Sequence, residues 1–179
     1  MKIAVFCSAS EDLSPMLLAG ALEVGETLAF DGHEVIYGGA STGCMGALAE
    51  GVLGRGGRLI GILPEIESIA GKVQRGLTSQ HIVPTLSVRK EKMIALADAF
   101  LVFPGGLGTL DEALEVLALK SLGTLQKQVV FYNFLGIWTP FLESLTLLAE
   151  QRLIRGPLKD MLQVLDKPSE LSENFKHAL

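Results

Sequence analysis

AFLVFPGGLGTLDEALEVLALKSL, Ala99 to Leu122, is the stretch on which the reading of this chain turns. AFLVFP (99–104) reads as a strand, TLDEALEVLALKSL (109–122) as a helix, and a glycine-rich loop joins them. The same order recurs on either side. KIAVFC (2–7) is a nearly continuous apolar run of the kind buried on both faces by helices, and Ser14-Pro15 then supplies an N-cap and an N1 proline for a helix that Asp31-Gly32 stops. EVIYGG (34–39) predicts a strand ending in glycines, with a helix from about Cys44 to Leu53. RLIGILP (58–64), HIV (81–83) and QVVFYN (128–133) predict further strands, and SVRKEKMIALAD (87–98) a helix. Residues 65–80 show no clean period and suit a loop or short irregular helix, a place for a lid. From Ile137 onward the chain reads as helices, with a short strand near Leu162 to Leu165.

Strands alternating with helices imply right-handed crossovers and a parallel sheet with helices on both faces. The expected fold is therefore α/β, a Rossmann-like, three-layer, doubly wound parallel sheet. At 179 residues one domain suffices, and neither a linker nor an internal repeat divides residues 1–179. The net charge of −5 and dispersed basic residues argue against a nucleic acid polymer or an anionic membrane as partner. No apolar run has membrane-spanning length, and the N-terminus lacks a signal h-region, so a cytoplasmic location is expected. Cys7 and Cys44 are too far apart for a CxxC site. His33, His81 and His177 are scattered and read as surface or edge histidines, so no metal is expected.

In open parallel sheets the ligand crevice lies beyond the carboxyl ends of the strands, which directs attention to the loops FCSAS, YGGASTGCMG and FPGGLGT. Gly105 to Thr109 lack the lysine of GxxxxGK[ST], and Asp111 stands where a dinucleotide fingerprint wants glycine or alanine. What remains is Gly38-Gly39 with Gly43 and Gly46, and Gly105-Gly106 with Gly108, each group opening a helix. Glycine permits close approach of a ligand, and a helix N-terminus offers N–H groups to an anion. A tight turn explains one such loop; two at adjacent strand ends favour a phosphate site.

Ser87-Val88-Arg89-Lys90 puts two cations in the first turn of a helix, where the dipole favours anions. A bound phosphate would remove the conflict, and a guanidinium suits it; a solvated pair offset by Glu91 is the plainer alternative. Thr109 and Glu112 have the spacing of a capping box. On a helical wheel Leu110, Ala113, Leu114, Leu117 and Ala118 form one apolar face, with Glu112 nearly opposite beside Val116 and Leu119. A helix apolar on two sides suggests packing on the sheet and against a second subunit, with Glu112 in a partly desolvated groove. Burial, Asp111 and Glu115 would raise its pKa; the helix N-terminus and Arg89 would lower it.

PGGLGTLDE (104–112) fits the PGGxGTxxE motif of the LOG (Lonely Guy) proteins, and Arg89-Lys90 matches the arginine and lysine of their second motif. With AVFCSAS, IYGGASTGCMG and QVVFYN in the same order, nearly the whole chain resembles that family. The resemblance implies a Rossmann-like homodimer, without cofactor. Its implied reaction is hydrolysis of the N-glycosidic bond of nucleoside 5′-monophosphates, cytokinin riboside monophosphates included, to free base and ribose 5-phosphate. It places the catalytic pair on Arg89 and Glu112 and the phosphate loop on Gly105, Gly106, Leu107, Gly108 and Thr109. Ser8, Gly38, Gly39 and Lys90 complete the substrate-binding candidates. The chain departs from the family pattern at Ser8-Ala9, at Ser87-Val88, at Gly71 where many members carry a glutamate, and at Ala118-Leu119 where they carry Thr-Trp. A non-hydrolytic carrier of a nucleotide or of molybdenum cofactor, using the same anion cradle, is the alternative; a purely structural dimer is a third.

Overall fold

All seven strands expected from the apolar runs form, and all pair in parallel. The computed structural model describes residues 1–65 and 72–176. In chain order these contain β1 (Lys2–Phe6), α1 (Pro15–Phe30), β2 (Glu34–Tyr37), α2 (Gly43–Gly54), β3 (Arg58–Pro64), β4 (Ser79–Val83), α3 (Leu86–Leu96), β5 (Ala99–Val102), α4 (Leu107–Ser121), β6 (Gln128–Tyr132), α5 (Thr139–Glu150), β7 (Gln163–Leu165) and α6 (Pro168–Lys176). The strand order is β4-β3-β2-β1-β5-β6-β7. Winding runs outward from β1 in one direction as far as β4 and then restarts at β5 on its other side. The switch point therefore lies between β1 and β5, where such sheets open a crevice at their carboxyl ends.

Alternation along the strands divides the interior into two cores. Ile3, Val5, Val35, Tyr37 and Leu101 face α1, α2 and α6, whereas Ala4, Phe6, Ile36, Phe100 and Val102 face the side carrying Met93, Ala113, Val116 and Trp138. Local signals place several boundaries to the residue. Ser14 Oγ accepts the N–H of Leu17 at 3.3 Å, and Pro15 opens α1.

Three expectations need correction. Thr109 does not cap α4: the N-cap is Gly106, so Thr109 is the third helical residue and no capping box forms. The sheet-facing side of α4 is Thr109, Glu112, Ala113, Val116 and Leu117, which puts Glu112 on the buried side and turns Leu114 and Ala118 outward. The wheel grouped residues by hydrophobicity, so the burial it suggested for Glu112 is present but on the sheet-facing side rather than in a groove opposite it. His33 is not a surface residue but is buried just ahead of β2, edge-on to Phe175 of α6, and burial lowers its pKa. The span 65–80 suggested for a lid is described at Glu65 and over 72–80, where Lys72 and Gln74 bond to the loop after β2 and Ser79 already opens β4; residues 66–71, Gly71 among them, lie outside the described residues. His177 is outside them too. Val73 forms an antiparallel bridge with Ala40.

Candidate active site

α3 starts where Thr85 Oγ1 accepts the N–H of Val88 at 3.2 Å, and its first turn faces the end of β3. Arg89 reaches inward from that turn. Its Nε donates to the carbonyl of Ile62 at 3.0 Å, and its Nη1 donates to Glu112 Oε1 at 2.8 Å. The side chains of this ion pair are only 11% and 4% exposed. Nη2 lies against Gly38, where an added Cβ would sit 2.1 Å away. Gly38 is thus glycine because the guanidinium occupies the space a side chain would need.

Lys90, the next residue, ends on the same helix pair. Its Nζ meets Asp111 at 2.8 Å and Glu115 at 2.6 Å. Two consecutive cations of α3 therefore face carboxylates of the first turns of α4. They answer the dipole conflict read from the sequence: the anions that compensate Arg89 and Lys90 belong to the protein itself, and Glu91 is not among them. Asp111 and Glu115 were not foreseen as partners, although the juxtaposition of RK and DE dipeptides was the available signal.

The pKa of Glu112 is raised, chiefly by burial; the charge and hydrogen bond of Arg89 pull it down, Asp111 pushes it up and Lys90 pulls it down. The sign left open by the sequence is thus upward. A buried carboxylate of this kind accepts a proton more readily than a surface glutamate, the property wanted of a general base. Cys7, at the end of β1, shares its surroundings. Burial first, then Cys44 and Glu112, push the Cys7 thiol well above its usual range against a lowering by Arg89, so Cys7 stays a neutral thiol.

Beyond this pair the amino end of α4 opens outward. Gly106, Leu107 and Gly108 are exposed, and the first intrahelical bond runs from the N–H of Leu110 to the carbonyl of Gly106 at 3.0 Å. The N–H groups of residues 107–109 precede it, and no side chain caps the helix. Thr109 is buried and its hydroxyl folds back over Gly105, where a Cβ would lie 2.0 Å from Oγ1. The result is an uncapped helix end suited to an anion, one turn from the carboxylate of Glu112.

The other glycine loop is arranged differently, and β2 and β5 are not neighbours: they flank β1. A Cβ on Gly39 would meet Leu63, one on Gly43 the carbonyl of Ser10 at 2.3 Å, and one on Gly46 the carbonyl of Ser41 at 2.4 Å. Ser8 is tied into the same packing. Its carbonyl accepts the N–H of Met45 at 3.1 Å and its Oγ accepts that of Ser10 at 3.1 Å. The structure therefore brings Arg89, Glu112, Gly38 and Lys90 together beside Gly105 to Thr109, while Gly39 packs on the protein. Among the described residues no group of three or more His, Cys, Asp or Glu side chains is placed to hold a metal ion.

The family described as "possible lysine decarboxylase" matches residues 45–175. A probable cytokinin riboside 5′-monophosphate phosphoribohydrolase of Oryza sativa subsp. japonica is 31% identical over 178 residues, covering 98% of this chain and 72% of the relative. The cytokinin riboside 5′-monophosphate phosphoribohydrolase of Rhodococcoides fascians is 36% identical over 142 residues, covering 79% of this chain and 72% of its own. The chain belongs to the LOG family. Among solved structures, the molybdenum cofactor carrier protein of Chlamydomonas reinhardtii superposes with a TM-score of 0.75 at 21% identity, covering 99% of this chain and 96% of that one. At that identity the likeness speaks for the shared fold only. The LOG motif PGGLGTLDE spans both the open helix end and the buried carboxylate.

Proposed function

We propose that this LOG-family chain hydrolyses the N-glycosidic bond of nucleoside 5′-monophosphates, of the AMP or cytokinin riboside type, to the free base and ribose 5-phosphate. The observation that carries the reading is Glu112: a buried carboxylate with a raised pKa, aimed by an arginine, beside an uncapped helix N-terminus. In this reading the 5′-phosphate takes the N–H groups of residues 107–109, with Thr109 and Gly105 shaping the turn. Positive charge grows at C1′ as the base departs with the electrons of the C–N bond. The carboxylate of Glu112 stabilises that charge and takes a proton from the attacking water, whose oxygen forms the new bond to C1′; the base takes up a proton as it leaves. Arg89 fixes the direction of the carboxylate through its bonds to Ile62 and Glu112 and presents its remaining N–H groups to the substrate.

A homodimer belongs to the same reading. Leu107, Leu114 and Leu122 are 86%, 45% and 60% exposed, and with Ala118 they form a stripe along the outer side of α4. A second copy covering that stripe would also close the crevice edge that Asp111 and Glu115 occupy. No helix among the described residues is long and apolar enough to cross a membrane.

The test is a panel of nucleoside 5′-monophosphates incubated with the purified protein, with ribose 5-phosphate and free base as readouts. Stoichiometric release of both from AMP or a cytokinin riboside monophosphate is expected. Tight binding of a nucleotide or pterin with no release contradicts hydrolysis and favours a carrier. Elution at the mass of two chains is expected in multi-angle light scattering, and a monomer contradicts the dimer.

A further inference from the structure

Lys90 sits beside the catalytic arginine, yet its ammonium is already engaged. Its side chain is 16% exposed, and Nζ lies 2.8 Å from Asp111 and 2.6 Å from Glu115, the carboxylates that bracket Glu112 along α4. Arg89 on the inner side and Lys90 on the outer side thus grip one turn of α4 at two points. A cation held by two carboxylates has little left to offer a phosphate.

We propose that Lys90 is a positioning residue rather than a phosphate ligand: by bridging Asp111 and Glu115 it locks α4 against α3 and offsets one of the two negative charges that they place beside Glu112. The proposal rests on the reading that the ionised form of Glu112 works in hydrolysis. Four groups influence Glu112 from the elements around it or share its turn of helix: Arg89 and Lys90 from α3, Asp111 and Glu115 from α4. The thiol of Cys7, at the end of β1, is the fifth titratable neighbour. Asp111 raises the pKa of Glu112 and Lys90 lowers it, so loss of the ammonium removes a lowering influence and also uncovers a raising one. Lys90 itself is held charged, its pKa raised first by the bond to Asp111 and then by that to Glu115.

The experiment is the pH dependence of kcat/KM for AMP in the full chain, for wild type, Lys90→Met, Lys90→Arg, Asp111→Asn and Lys90→Met with Asp111→Asn. Lys90→Met is expected to move the acid limb to higher pH, losing rate on the acid side and converging with wild type on the alkaline side. Lys90→Arg, which can still bridge, retains the wild-type limb. Adding Asp111→Asn to Lys90→Met returns the limb toward wild type. A rise in KM with an unmoved limb and no rescue by Asp111→Asn makes Lys90 a phosphate ligand and overturns the proposal. So does a lower melting temperature with an unmoved limb. Asp111→Asn alone changes an exposed side chain and keeps the question open to test if Lys90→Met does not fold; its limb is expected at lower pH. A titration of the Glu112 carboxyl by 13C NMR, assigned through Glu112→Gln, reads the same shift without turnover. Its midpoint is expected to rise in Lys90→Met, and an unchanged midpoint contradicts the proposal even where wild type releases no ribose 5-phosphate, a result that would count against hydrolysis alone.

Discussion

The glycine loop after β2 and the glycine loop after β5 look alike in sequence and differ in what fills the space beside them. Around Gly38, Gly39, Gly43 and Gly46 the space is taken by protein: Arg89, Leu63 and the backbone of Ser10 and Ser41. Around Gly106 and Gly108 nothing lies within 4 Å of where a side chain would start, and only Gly105 is filled, by Thr109. The first loop uses glycine to let the chain close on itself and seat the arginine. The second leaves helix N–H groups open. The same residue type thus marks an inner wall in one loop and an open mouth in the other.

Substitutions tell the two loops and the ion pair between them apart, and the largest effect is expected at Arg89. Arg89→Ala removes one half of a buried ion pair, and such losses run to about 3–5 kcal/mol. A large fall in melting temperature is expected, together with loss of turnover. The fall should shrink in acid: the pKa of Glu112 is already raised from its ordinary 4.5, and without Arg89 it rises further. A group whose pKa is raised on folding contributes stability that is present below its unfolded value and lost as pH rises through its folded value, so the variant weakens from acid toward neutrality. A melting-temperature deficit independent of pH would contradict a buried, ionisable Glu112.

Gly43→Ala comes next, because Gly43 has a φ of +60° and its new methyl would meet the carbonyl of Ser10 at 2.3 Å, with no side chain to move aside. A loss of about 1–3 kcal/mol is expected by denaturant titration. Gly38→Ala pushes on the movable ends of Arg89 and Met45, so stability changes less while hydrolysis falls as the guanidinium is displaced. Equal activity in this variant would show that Arg89 need not sit where it does. Gly108→Ala is the smallest change. An alanine in the first turn of α4 clashes with nothing and gains up to about 1 kcal/mol of helix propensity. The melting temperature should hold or rise while KM for AMP increases, since the methyl enters the mouth assigned to phosphate. An unchanged KM would move the phosphate elsewhere.

Much of this fold was legible because its signals are local. Apolar runs such as AFLV and VVFY predict strands buried on both faces, and Ser14-Pro15 predicts the first residue of α1. The site was legible in its members and less so in its wiring. Thr109 and Glu112 carry the spacing of a capping box, and no reading of adjacent residues shows that Glu112 is instead held by Arg89, 23 positions earlier. The cations opening α3 correctly signalled a need for anions. That α4 supplies them is a fact of tertiary packing, fixed only when β5 has carried the chain back beside β1 and set the two helices side by side.

If the charge of Glu112 carries the chemistry, Glu112→Gln suppresses that chemistry without removing the side chain. The amide oxygen can still accept the hydrogen bond from Arg89, so the pair keeps its shape while the carboxylate is lost. Single-turnover release of adenine from AMP is expected to slow by roughly 10²–10⁴ with nucleotide binding retained and a melting temperature lowered less than in Arg89→Ala. Release at the wild-type rate would contradict a catalytic charge on Glu112.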